Sequence, residues 1–248
     1  MSGKSSEIDK PIFTKPFVDK TADMIELVRG LEHAPEESRT LFQGAIASLD
    51  AQINMHRNVE EKLAGCGLPI LVLYDIHIYS KAGSTAIDFV VLSNRFLLTI
   101  SCPAQADLVT PSESRATALP GVPRHFSSSE HSAHILTELV KSDRLLSKKD
   151  LQMIWPFTVT ADPENESHFF EPVESFPTPY SLAYPGIRRE QNVHIDRLID
   201  QMRQLFQFDK GASWLTNREL FAISDMLIKY DESASCGSNG QEGTQHEE

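Results

Sequence analysis

One stretch constrains the fold more than any other: residues 69–103, PILVLYDIHIYSKAGSTAIDFVVLSNRFLLTISCP, where aliphatic runs alternate with short polar breaks. Ile70-Leu71-Val72-Leu73-Tyr74 is almost unbroken in its apolar character, as expected of a strand buried on both faces. Lys81-Ala82-Gly83-Ser84 supplies a turn, residues 86–92 a second strand, Ser93-Asn94-Arg95 a second turn, and residues 96–102 a third strand. Three such strands cannot bury themselves. The rest of the chain must cover them.

Residues 21–31 place Met24, Ile25, Val28 and Leu31 at helical spacing. Pro35-Glu36-Glu37 reads as a helix start, with proline and acids where the macrodipole favours them. From there Leu41, Ile46, Leu49, Ile53, Val59 and Leu63 carry an apolar stripe through one helix or a pair, which Gly65-Cys66-Gly67 should end. Residues 129–140 predict an amphipathic helix, Ser147 and Asp150 open another that runs to Ile154, and residues 155–160 predict a strand. A last short strand is expected over residues 193–195. Asp196 should cap a helix over 197–206, and Thr216-Asn217-Arg218-Glu219 has the pattern of a capping box ahead of a helix over 220–230. This order predicts an α/β or α+β domain with a central mixed sheet flanked by helices.

Around that domain, expected over residues 21–230, the sequence predicts looser segments. Residues 1–20 read as a loosely held arm that Phe13 and Phe17 can pin; residues 103–129 and the proline-containing stretch to Pro185 read as surface loops. Residues 231–248 are acidic, rich in Gly and Ser, and expected to be disordered.

The net charge of −12 works against a broad polyanion-binding surface and leaves room only for a local basic groove. Cys66, Cys102 and Cys236 are widely spaced and form no Cys-x-x-Cys pair, which fits reduced thiols in a cytosol better than a disulfide framework or zinc knuckle. No apolar run approaches the roughly 18 residues of a membrane span, and the N-terminal residues lack the apolar core of a signal peptide. A soluble, cytoplasmic chain without a membrane partner is expected.

Asp88 is the residue with the most chemical meaning. It lies in the middle of the second strand, between Ile87 and Phe89. A carboxylate there faces solvent, pairs, or holds a metal, because burying it unpaired is strongly unfavourable. A divalent ion that activates water for phosphodiester hydrolysis wants at least two oxygen ligands from the protein, usually with a lysine to organise the nucleophile. The place for such partners is at residues 100–103 of the next strand, which offer Ser101, Cys102 and Pro103, neither a carboxylate nor an amine. His125, His131 and His134 cluster in sequence, with His131 and His134 at i, i+3 where two imidazoles can share one metal; without a Cys or third ligand nearby they are expected as a polar helix start and loop. Cys102, at a strand end with no placed base, is expected as an inert core thiol. The chain contains no GxGxxG, GxxxxGK[ST] or GxSxG motif.

The hairpin resembles the nuclease-related domain (NERD) family, a branch of the PD-(D/E)xK restriction-endonuclease-like superfamily. Leu73-Tyr74-Asp75 matches the family's Leu-x-Asp, and Ala86-Ile87-Asp88-Phe89-Val90-Val91 its Gln-Ile-Asp-[His/Tyr/Phe]-Val-Val. The third part departs: Ser101 and Pro103 stand where the family carries Glu and Lys, while Cys102 agrees with members that read Glu-Cys-Lys. Weaker similarity continues over residues 136–151, 155–163 and 193–199. The family's acid ahead of the first strand falls at His56, with Glu60 or Glu61 as substitutes, and its Gln-Asn pair falls at Glu130-His131.

The resemblance implies a restriction-endonuclease-like core in which Asp88 alone keeps its active-site position. The implied function is a binding or scaffolding module for a protein or nucleic-acid partner, with an inactive nuclease centre and no cofactor. The alternative is a nuclease dependent on Mg²⁺ or Mn²⁺, in which Asp88 works with a displaced carboxylate from Glu60, Glu61, Asp75 or Glu130. A third expectation is an interaction role for the 103–129 loop or the acidic tail.

Overall fold

The computed structural model describes residues 8–18, 20–80, 83–103, 129–142, 154–161, 191–208 and 215–238. The expected α/β architecture is present, as a mixed sheet of six strands ordered β1-β2-β3-β4-β5-β6 and flanked by helices. The strands are β1 (Ile12–Lys15), β2 (Leu71–Ser80), β3 (Gly83–Leu92), β4 (Leu97–Ser101), β5 (Ile154–Thr160) and β6 (Gln191–His194). β2, β3 and β4 are antiparallel neighbours; β1 joins β2, β5 joins β4, and β6 joins β5, all in parallel.

The β3–β4 turn is tied by one side chain. Ser93 Oγ accepts from the Phe96 amide at 2.8 Å and the Arg95 amide at 3.1 Å, and the Ser93 amide donates to the Phe96 carbonyl at 2.9 Å. The register that results pairs Phe89 with Ile100 and Leu92 with Leu97, so Asp88 comes opposite the last residue of β4, Ser101.

Among the described residues there are five helices, α1 (Thr21–His33), α2 (Glu36–Ala64), α3 (Ser129–Ser142), α4 (Leu198–Phe208) and α5 (Asn217–Ser238), of which the last four pack on the sheet. On one face Leu71, Leu73, Ile76, Ile78, Ile87 and Val90 pack with Leu136 of α3 and Ile223 of α5. The other face joins Val72, Tyr74, Phe89, Val91, Leu98 and Ile100 to Val59 and Leu63 of α2 and to Met202 of α4. Both faces of the central strands are therefore dry. This is the physical reason the run over residues 70–74 is apolar at every position.

α2 is one continuous helix of 29 residues, about 44 Å long at 1.5 Å per residue. Its buried residues, Ile53, His56, Val59 and Leu63, all lie in its second half. The first half pairs with α1, which buries no residue and exposes Ile25 and Val28. Gly30 permits that pairing, since a Cβ there would sit 2.5 Å from the Phe42 ring. α2 ends at Gly65, but the left-handed residue of that segment is Gly67, at φ +67°.

Several expectations change. Residues 12–15, inside the expected loose arm, are the edge strand β1, with the Ile12 amide bonded to the Ile70 carbonyl at 3.0 Å and Phe13 and Phe17 packed on the core. Ile154 opens β5 instead of closing a helix, paired with Leu97. Ile195 begins a short 3₁₀ turn over Ile195–Arg197, and its cap is His194, whose Nδ1 accepts from the Asp196 amide at 3.3 Å. The Asp196 carboxylate instead takes a 3.0 Å hydrogen bond from Lys62 of α2, which holds its carboxyl below the ordinary range. The last helix continues past Tyr230 to Ser238, so part of the expected disordered tail is helical. Asp231 anchors it, accepting from Lys15 Nζ at 2.7 Å and from the His77 amide at 2.8 Å. The expected capping box is formed: Glu219 Oε2 accepts from the Thr216 amide at 2.7 Å while Thr216 Oγ1 accepts from the Glu219 amide at 3.3 Å. Residues 104–128, which hold most of the expected long loop, lie outside the described residues, as do His125 and residues 143–153, 162–190 and 239–248.

Candidate functional site

The alternation of side chains along β2 and β3 slips at one level. On β2, Leu71 and Leu73 share a core face with Ile76 and Ile78, and on β3, Leu92 and Val90 share that face with Ile87. Each strand therefore changes parity once, at Asp75 and at Asp88, and the register places these two residues opposite each other. Asp75 absorbs the change with φ +52°, a left-handed conformation that Asp tolerates better than most residues. Lys15 Nζ donates to its carbonyl oxygen, and Lys20 Nζ lies 3.4 Å from its Oδ1. At Asp88 the slip turns the carboxylate toward α2 and the end of β4.

One side chain and one backbone amide meet Asp88 there. His56 comes from the buried stripe of α2, and its Nε2 lies 3.3 Å from Asp88 Oδ1. The Cys102 amide donates to Asp88 Oδ2 at 2.6 Å. Ligand atoms of His56, Asp88 and Cys102 all lie within 4.8 Å of one another, and they form the one group of three or more His, Cys, Asp or Glu at such distances among the described residues. His56 is 1% exposed and Cys102 fully buried. The Asp88 side chain, at 21% exposure, forms the opening to solvent.

The imidazole is held from its other side. Its Nδ1 shares a 2.9 Å hydrogen bond with the Tyr74 hydroxyl, and the Tyr74 and Phe89 rings meet it edge-on at centroid distances of 5.5 and 5.8 Å. With the ring fixed, Nε2 is aimed at Asp88, yet it makes no hydrogen bond: 3.3 Å is close enough for electrostatic attraction, but the alignment fails. Burial pushes the Cys102 thiol well above its ordinary value, and the Asp88 charge beside it adds to the effect. Cys102 is therefore a thiol at neutral pH. With Asp88 on the Nε2 side and the Tyr74 hydroxyl bonded to Nδ1, the imidazole is not arranged as the central base of a nucleophile–imidazole–acid triad.

The other residues singled out in the sequence lie elsewhere. Glu61 is exposed and Glu60 half-buried on α2, and neither joins the group around Asp88. Asp75 interacts with Lys15 and Lys20 and does not join it. Glu130 lies on α3, which packs against the opposite face of the sheet from α2. Ser101 closes β4 and Pro103 follows it by two residues. His131 and His134 lie on α3 and join no metal-competent group among the described residues.

An octahedral Mg²⁺ or Mn²⁺ centre of the kind implied by the nuclease resemblance does not fit this group. Mg²⁺ prefers oxygen ligands and close to ideal octahedral geometry. Here a single carboxylate supplies the oxygen, beside an imidazole and a thiol. The sequence resemblance puts His56 at an active-site position and Cys102 on the strand opposite Asp88, but does not predict that the three share one ligand group. The signal was the spacing of Ile53, His56, Val59 and Leu63, which put His56 on the buried face of α2.

The fold and the group define a class: a mixed α/β sheet with helices on both faces and a buried His–Asp–Cys cluster where β3, β4 and α2 meet. Comparison with protein-family models, curated proteins and solved structures found no match to this chain. Among the described residues, no helix is long and apolar enough to cross a membrane.

Proposed function

We propose that this chain is a NERD-like protein with a restriction-endonuclease-like core, acting as a binding or scaffolding module and not as a Mg²⁺- or Mn²⁺-dependent nuclease. One observation carries the reading. Asp88 sits where the family resemblance puts an active-site aspartate, but its oxygens face the Cys102 amide and His56 Nε2, and no second carboxylate joins them among the described residues. A nuclease needs its metal ligands turned toward an incoming phosphate, with a nucleophilic water between them. This group has two of its three members buried. The net charge of −12 favours a protein partner over a polyanion.

The test is incubation of the purified chain with single- and double-stranded DNA and RNA in Mg²⁺ and in Mn²⁺, beside Asp88→Ala. No cleavage above a buffer control is expected from either protein. Divalent-dependent cleavage that disappears in Asp88→Ala would overturn the reading and restore the nuclease alternative. Any nucleic-acid affinity should be measured across a salt series, since binding through phosphate contacts must weaken steeply as salt rises.

A further inference from the structure

We propose that His56, Asp88 and Cys102 form a binding site for a soft divalent transition ion of the Zn²⁺ class. The inference rests on the reading that this centre is not a Mg²⁺ nuclease site, and goes beyond it by assigning the group a different ion.

The donor set argues first. Imidazole nitrogen, thiolate sulfur and one carboxylate oxygen are ligands that Zn²⁺ and Co²⁺ take together, while Mg²⁺ and Ca²⁺ avoid sulfur. Geometry argues second. At Zn–N and Zn–O lengths of about 2.0 to 2.1 Å, the nitrogen–oxygen edge of a tetrahedron is about 3.3 Å. His56 Nε2 and Asp88 Oδ1 stand 3.3 Å apart without a hydrogen bond between them. That spacing is long and misaligned for a His–Asp hydrogen bond but right for two ligands of one ion. The sulfur edges of such a tetrahedron are about 3.6 Å, inside the 4.8 Å that bounds the separations of all three ligand atoms.

The surroundings argue third. A ligating histidine ordinarily donates its other N–H to a partner that fixes the tautomer. The Tyr74 hydroxyl is in place at 2.9 Å from Nδ1 to accept it. Asp88 Oδ2 is oriented by the Cys102 amide, leaving Oδ1 for the ion. Charge balances as well: on binding, Cys102 releases its proton to solvent, and one thiolate plus one carboxylate neutralise a dication. The interior then holds no net charge. Three protein ligands leave a fourth position for water, on the side where Asp88 is partly exposed.

The experiment uses the full chain, stripped with chelator and titrated with Co²⁺, then with Zn²⁺ in competition. One equivalent of Co²⁺ should bind, with visible ligand-field bands of a four-coordinate site and a near-ultraviolet thiolate-to-cobalt band, both displaced by Zn²⁺. Cys102→Ser should abolish the thiolate band, and Cys66→Ser, away from the group, should keep it. Outer-shell changes commonly weaken metal binding by about 10–100-fold, so Tyr74→Phe should fall in that range and His56→Gln should lose more. Circular dichroism establishes that each variant is folded; if Cys102→Ser is not, His56→Gln and Asp88→Asn carry the comparison. Lack of stoichiometric binding by the folded wild-type chain overturns the proposal. So does a thiolate band that survives Cys102→Ser, or affinity unchanged in folded His56→Gln and Asp88→Asn. Because these readouts involve no nucleic acid, failure here leaves the non-nuclease reading standing, and cleavage in Mg²⁺ would remove that reading without deciding Co²⁺ binding.

Discussion

Asp88 is accessible to a quantitative test of whether it serves structure. In the presence of chelator, its carboxylate accepts one short hydrogen bond, 2.6 Å from the Cys102 amide, and sits beside the misaligned His56 Nε2. A hydrogen bond to a charged group contributes about 1.5–3 kcal/mol net, and a buried donor left without an acceptor costs about 1–3 kcal/mol. These two figures describe the same loss from opposite sides and do not add. The opening at Asp88 lets water reach part of the gap, which places Asp88→Ala near 2 kcal/mol. Asp88→Asn keeps an oxygen facing the Cys102 amide and should cost less than half as much. Urea unfolding at neutral pH, followed by circular dichroism and analysed at common slope, resolves the two variants. A loss below about 0.5 kcal/mol for the alanine variant, or equal losses for alanine and asparagine, would refute the structural role assigned to this bond.

The remaining predictions concern the frame around the site. Burial raises the Cys66 and Cys102 thiols above the ordinary thiol range, so the stability tied to their protons is full at pH values below that range. Above it the unfolded chain loses those protons while the fold retains them, and stability falls by up to about 1.4 kcal/mol per pH unit per thiol until the folded value is passed; urea midpoints at pH 8 and 10 should differ less in Cys102→Ser than in wild type. Thr216→Ala breaks the capping box and should cost about 1 kcal/mol, measured by thermal melting. Asp231→Ala removes the acceptor shared by Lys15 Nζ and the His77 amide, with an expected loss of about 1–3 kcal/mol in urea unfolding. A stability equal to wild type would mean that the end of α5 is not fastened to β1 and β2.

How much of this was legible follows from where the information sits. The central strands were legible because their burial on both faces is written residue by residue, from Ile70 to Tyr74 and from Phe89 to Leu92. β1 was not, because Ile-Phe-Thr-Lys carries no run of its own and becomes a strand only when the edge of β2 accepts it. The same holds for α5 beyond Tyr230, whose Asp231 finds its partners at positions 15 and 77. The site divides in the same way. His56 falls in step with the stripe of Ile53, Val59 and Leu63, and the β3–β4 register brings Asp88 to the end of β4, but the docking of α2 on the sheet is a tertiary fact that no local pattern states. That docking puts an imidazole, and not a second carboxylate, against Asp88. Two carboxylates facing each other in a half-dry site need a dication or a shared proton, because both cannot stay ionised alone. With a histidine facing Asp88 that requirement does not arise, and with Cys102 alongside the donor set suits soft cations better than hard ones. The donors gathered at Asp88 thus suit a soft dication better than the oxygen-ligated Mg²⁺ of phosphodiester hydrolysis.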